Sequence, residues 1–203
     1  HYDPAGQLIQ VLKNGQTAEK YTYDRFGNRT ASTVGGKYTE YQYNSLNQLI
    51  SSCTGGGTSQ FFYDKRGNMT EEAVNGNPVR QFTFDVRNRL TALKTPEMTA
   101  RYANDGFGNR ISAATEIQGQ KPVCEKYIYD ISEEHNHLFS IRSGASYRNI
   151  LRDKGILGET EAGKTAFFVN DERMTPVYRI EKGQKSVYVG CDSFGNQETS
   201  GNG

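Results

Sequence analysis

Apolar and polar positions alternate along most of this chain, in short bursts closed by turn residues. In "YTYDRFGNRT", residues 21–30, Tyr21 and Tyr23 flank Thr22; in "YQYNSLNQLI" Tyr41 and Tyr43 flank Gln42. In "FFYDKRGNMT" and "FTFDVRNRLT" the same places fall to Phe61 and Tyr63, and to Phe82 and Phe84 around Thr83. Residues two apart on a strand share a face, so each burst predicts a strand with rings on one side and polar groups on the other. A helix would need apolar positions three and four apart, which these stretches lack.

Each burst ends in a reversal signal. Asp24, Asp64 and Asp85 stand where a carboxylate accepts backbone N–H groups a few residues on. Gly27, Gly67 and Gly108 then permit positive φ, followed by Asn28, Asn68 and Asn109. At the other end of each unit lie Asn14-Gly15, Gly35-Gly36, Gly55-Gly56-Gly57, Asn75-Gly76 and Gln118-Gly119. Asn-Gly between alternating strands is a strong hairpin signal.

Tyr23, Tyr43, Tyr63 and Phe84 are 20, 20 and 21 residues apart, a repeat in which one unit is two antiparallel strands and two turns. Looser copies follow at "RYANDGFGNRI" (Tyr102, Asp105, Gly108, Asn109), "KYIYDIS" (Tyr127, Tyr129, Asp130) and "YVGCDSFGNQ" (Tyr188, Asp192, Gly195, Asn196). Tyr2, Asp3 and Gly6 fit the same frame at the front, so both ends read as cuts through a larger protein. The predicted fold class is all-β: an antiparallel meander of hairpins of about 20 residues each. It divides into regular hairpins over 1–130, a degenerate region over 131–157 and returning hairpins over 158–203, all one continuous repeat domain. The degenerate stretch predicts shorter strands and a helical turn near Ser132 to Asn136; after it, strands are expected near 156–161, 165–170, 176–181 and 185–190.

Composition sharpens this picture. Only 34% of residues are hydrophobic, yet 13 Tyr and 10 Phe accompany 22 Gly, which speaks for many half-buried strands rather than disorder. A net charge of +1, with no run of five like charges, argues against nucleic-acid binding. Nothing approaches the roughly 18 consecutive apolar residues of a membrane span, and no signal peptide opens the chain.

The pattern aromatic-x-Tyr-Asp-x-x-Gly-Asn at Tyr21 to Asn28, Phe61 to Asn68 and in part Tyr188 to Asn196 resembles the Rhs family of YD (tyrosine-aspartate) repeats. That resemblance covers nearly the whole chain. It implies a curved sheet that spirals into a hollow shell, as in large bacterial surface and secreted proteins and animal teneurins. In polymorphic toxins of the family the shell encloses a C-terminal toxin and is associated with self-cleavage. The implied partners are the remainder of the shell and its cargo, and the implied location is secreted or cell-surface. The segment from Phe167 to Gln197 looks like the run-up to the family's core motif, whose Tyr-Asp-Pro and Gly-Arg-Phe elements and aspartate-based cleavage site are expected beyond Gly203. "DERMTP" departs from the pattern, with Met174-Thr175 where relatives carry a small-residue turn, and predicts a distorted hairpin.

Candidate chemistry is sparse. "EEHNH", Glu133 to His137, is the one cluster with metal-ligand character, but the third histidine is His1 and no further ligand converges. Cys53, Cys124 and Cys191 form no CxxC pair and read as small strand residues. No nucleophile elbow or phosphate loop appears. Asn28 and Asn68 begin glycosylation sequons that arise from the repeat itself. The leading expectation is a non-enzymatic shell segment without cofactor or metal; the alternative is an adhesin that binds carbohydrate through rows of exposed tyrosines.

Overall fold

The computed structural model describes residues 1–132 and 136–191, and these form strands and turns with no helix among the described residues. They group into two compact units, the first ending at Arg101 and the second starting at Tyr102. The first contains β1 (Gln10–Lys13), β2 (Gln16–Tyr23), β3 (Arg29–Val34), β4 (Lys37–Tyr43), β5 (Leu49–Thr54), β6 (Gly57–Tyr63), β7 (Met69–Val74), β8 (Asn77–Phe84) and β9 (Leu90–Lys94). β10 (Met98–Asn104) follows, its first half pairing with β9. The second unit continues with β11 (Arg110–Ile117), β12 (Val123–Asp130), β13 (His137–Ser143), β14 (Ser146–Arg152), β15 (Ile156–Glu161), β16 (Lys164–Asn170), β17 (Pro176–Glu181) and β18 (Val187–Tyr188). Within each unit every strand pairs antiparallel with its neighbour in the chain. The fold is an all-β meander.

One irregularity repeats with the sequence. A bulge interrupts the register just before seven of the long turns: at Thr22/Tyr23, Gln42/Tyr43, Phe62/Tyr63, Thr83/Phe84, Ile128/Tyr129, Leu151/Arg152 and Val169/Asn170. A bulge bends its strand and re-aims the side chain beside it, here the last residue before the turn. At the opposite ends, Asn14-Gly15, Gly35-Gly36 and Asn75-Gly76 all have positive φ at both residues, the geometry of a tight two-residue hairpin turn.

The core is thin, as expected of a single sheet: Tyr21, Ala73, Ala100, Ala113 and Ala166 are its buried hydrophobics, and the other motif rings are half-buried. Register places the motif rings on one face, since directly opposed residues share a side: Tyr21 opposes Ser32, Tyr41 opposes Ser52 and Phe82 opposes Leu93.

Three expectations need correction. The second face is not uniformly polar. Tyr38 and Phe62 are exposed on it in the first unit; in the second, Phe167 opposes Ile180 and Val169 opposes Tyr178, all exposed. The predicted shortening over 131–157 does not occur: β13 and β14 have seven residues each, because Gly144 at φ 59 turns them and the alternation survives without paired tyrosines. The "DERMTP" hairpin is regular, as described below. The helical turn near Ser132 to Asn136 rests on 133–135, outside the described residues, as does the last copy's Asp192, Gly195 and Asn196.

Candidate functional site

The recurring feature is the long turn. Asp24 Oδ1 accepts the N–H groups of Phe26 (2.8 Å) and Asn28 (2.9 Å), and its Oδ2 accepts Asn28 Nδ2 (2.9 Å). The backbone closes the loop: Asp24 N–H donates to Asn28 O, and Gly27 N–H to Asp24 O. Asp64 with Arg66 and Asn68, and Asp105 with Phe107 and Asn109, repeat the pattern. Asp85 does so with Arg87 and Arg89, whose guanidinium takes the place of the Asn amide at 2.7 Å. Asn44 keeps the Oδ1 bonds, to Leu46 and Gln48, without the charge. Asp130 accepts from Ser132 N–H.

These bonds hold the carboxyls below the usual range. The Asn side-chain amide is the largest cause at Asp24, Asp64 and Asp105, the Arg89 backbone N–H at Asp85, and the Ser132 side chain at Asp130. In "DERMTP" Asp171 accepts Arg173 and Thr175 N–H, both at 2.9 Å, while Met174 takes the glycine's place at φ 62. Asn47 and Asn88 occupy that place at φ 58 and 60.

The residue before the turn ties one repeat to the last. Tyr23 Oη donates to Leu8 O, Tyr43 to Arg29 O, Tyr63 to Leu49 O and Tyr129 to Arg110 O, at 2.8–3.0 Å. Burial raises the pKa of Tyr23, Tyr43 and Tyr63. Neighbouring turns are bridged as well: Asn28 Nδ2 donates to Asn47 Oδ1 (2.9 Å), Asn68 Nδ2 to Asn88 Oδ1 (3.0 Å) and Arg66 to Asp85 O (2.9 Å). Asn28 and Asn68 thus spend both amide hydrogens in the turn edge, although each heads a sequon.

The first ring of the motif is fixed differently. Tyr21 donates to Glu19, Tyr127 donates to Glu125, and Tyr41 Oη shares a 2.9 Å hydrogen bond with Ser32 Oγ. The Arg29 guanidinium lies 5.7 Å from the Tyr21 ring centre and 4.6 Å from that of Tyr41; Arg110 lies 4.0 Å from that of Tyr102. The tyrosine platform expected for carbohydrate loses support here, because Tyr43 and its counterparts commit their hydroxyls to the protein.

This chain matches the Teneurin YD-shell family over residues 1–202. It belongs to that family. Among curated proteins it is similar to the tRNA3(Ser)-specific nuclease WapA of Bacillus spizizenii, 30% identical over 177 residues, which are 82% of this chain and 7% of that protein. It is also similar to the tRNA nuclease WapA of Bacillus subtilis, 32% identical over 139 residues, 64% of this chain and 5% of that protein. The double-stranded DNA deaminase toxin A of Burkholderia cenocepacia is 24% identical over 146 residues, 61% of this chain and 10% of that protein. The chain therefore spans a tenth or less of these relatives. In fold it resembles the crystal structures of TcdB2-TccC3-TEV (TM-score 0.52, 12% identity, 97% of this chain and 11% of that one) and TcdB2-TccC3-Cdc42 (TM-score 0.50, 16% identity, 92% and 11%).

In the second unit of this YD-shell chain, charge takes over from rings. Arg148 Nε lies 3.0 Å from Glu161, and Arg179 Nη2 lies 3.1 Å from Glu159 and 2.6 Å from Glu181. Both arginines are raised in pKa, Arg148 chiefly by Glu161 and Arg179 chiefly by Glu181. Sequence reasoning missed this ladder, since only strand register brings Arg148 to Glu161 and Arg179 to Glu159. An open cleft of about 280 Å³ is lined by Asp130, His137, Phe139, Arg152 and Asp153 among others. Of the "EEHNH" cluster, Glu133, Glu134 and His135 lie outside the described residues, and no metal-holding group occurs among those described. Cys53, Cys124 and Cys191 are free and exposed. Among the described residues no helix is long and apolar enough to cross a membrane.

Proposed function

We propose that this chain is a non-enzymatic wall segment of an Rhs/YD-repeat shell that encloses or presents a C-terminal cargo, a toxin, in a longer secreted or cell-surface protein. The observation that carries this is the hydroxyl-to-carbonyl bond by which Tyr23, Tyr43, Tyr63 and Tyr129 each tie their repeat to the one before it, as from Tyr43 to Arg29 and from Tyr63 to Leu49. Such bonds make a continuous sheet from a local motif, and they use the polar atoms of the repeat for cohesion rather than chemistry. The nuclease and deaminase names of the relatives fit a toxin cargo, and the family and its fold likeness to the TccC3 structures fit a wall. The partners are then the rest of the shell and the cargo.

Limited proteolysis of the longer protein tests this reading. The cargo is expected to resist protease until the shell is unfolded by urea, and to be digested readily when produced alone. Equal digestion in both settings would remove the containment role.

A further inference from the structure

The turn at 171–175 differs from its counterparts at the fourth position, where the chain takes positive φ. The place taken elsewhere by Gly6, Gly27, Asn47, Gly67, Asn88 and Gly108 belongs here to Met174, at φ 62. Side chains other than glycine and asparagine rarely adopt that conformation. Among the described residues only Ala162 joins it in positive φ without being Gly or Asn.

A second observation explains how methionine holds the place. Gly155, in the loop between β14 and β15, is buried, and a β-carbon there would stand 2.9 Å from Met174 Cε and 3.0 Å from its Cβ. The methionine chain lies flat on the bare Gly155 backbone. Next to it the usual tyrosine tie is replaced by Asn170, whose Nδ2 donates to Ile156 O at 2.9 Å while its buried Oδ1 has no hydrogen-bond partner. The junction between loop 153–156 and turn 171–175 therefore leans on Met174, whose side chain is still 41% exposed.

We propose that Met174 is a peroxide-sensitive latch on this junction. A hydroperoxide reaches the exposed thioether; the sulfur lone pair attacks the terminal peroxide oxygen, the O–O bond breaks and one oxygen is transferred to sulfur. Methionine is oxidised to its sulfoxide, and hydrogen peroxide, taking up the proton it shuttles between its oxygens, is reduced to water. The sulfoxide is polar and bulkier, and cannot rest on Gly155 without losing water from its oxygen. With the contact gone, the Asp171 bonds alone must hold the positive φ, and the turn opens more often.

The test treats the whole chain with hydrogen peroxide and follows peptide masses and amide hydrogen exchange. Met174 is expected to gain one oxygen several-fold faster than Met69 and Met98, which are half-buried in strands. The amides of Arg173 and Thr175, which donate to Asp171, are expected to exchange several-fold faster after oxidation and to recover when a sulfoxide reductase and thiol restore the thioether. M174L, which keeps the bulk without the sulfur, should show no peroxide response in this turn. Oxidation of Met174 no faster than that of Met69 and Met98 would overturn the proposal. So would unchanged exchange at Arg173 and Thr175 once Met174 is oxidised, or the same response in M174L.

Discussion

Tyr63 and Phe84 hold equivalent places in successive repeats and differ by one oxygen. Tyr63 uses it to bond Leu49 O. Removing it in Tyr63→Phe should lower stability by about 1 kcal/mol, read as a lower urea midpoint at unchanged slope. The converse holds at Phe84: Met69 pairs with Tyr63 as Leu49 pairs with Tyr43, so a hydroxyl at Phe84 would face Met69 O, and Phe84→Tyr is expected to raise the midpoint. The turn carboxylates supply a pH dependence. Asp24, Asp64, Asp85 and Asp105 all have pKa values lowered by folding, so their contribution is complete above the unfolded carboxylate value and is lost as pH falls through the depressed folded values. The urea midpoint should therefore fall on acidification from about pH 4 downward. Asp64→Asn, which gives that turn the uncharged chemistry of Asn44, should make the fall shallower; an unchanged acid profile would contradict the turn's electrostatic account.

At the scale of elements, the strands and tight turns were legible because period-two alternation and Asn-Gly pairs are local signals. "VLKNGQTAEKYTY" announces β1, β2 and their turn without reference to the rest of the chain. The bulges were not legible. They place two residues against one partner, and although they recur at the residue before the turn acid, alternation alone does not reveal that the register slips there. The turn at 171–175 was misjudged for a related reason: Asp171 does the bonding, while a bare seat at Gly155, distant in the chain, makes room for Met174. β13 and β14 run long without paired tyrosines because Gly144 turns them and Arg148 on β14 is fastened by charge to Glu161 on β15, neither of which period-two alternation announces. Two expectations follow for these contacts. Asn47→Gly keeps the positive φ and deletes the acceptor of Asn28 Nδ2, so the Asn28 side-chain amide should exchange faster while the Asp24 turn amides stay protected. High salt should weaken the Arg179 contacts, which are partly exposed, and R179M should abolish that salt response in amide exchange of β17 while β15 keeps the part due to Arg148. Salt-independent exchange in the unmodified chain would remove the charge ladder as a fastening.

For the whole molecule, repetition itself made the family legible: a module of about 20 residues whose rings, aspartates and glycines recur in phase. The face assignment was legible only in part. In the first unit the motif rings gather on one side, but Phe62 stands exposed on the other, and only its parity between Phe61 and Tyr63 marks it. The proposed containment belongs to this scale, because a wall works only when many modules are joined. Electron cryo-microscopy of the proposed longer protein tests it directly. The expected result is a hollow body whose wall is a continuous antiparallel sheet containing these repeats, with separate density for the C-terminal domain inside. A solid particle, or a C-terminal domain lying outside the wall in open solvent, would contradict the account.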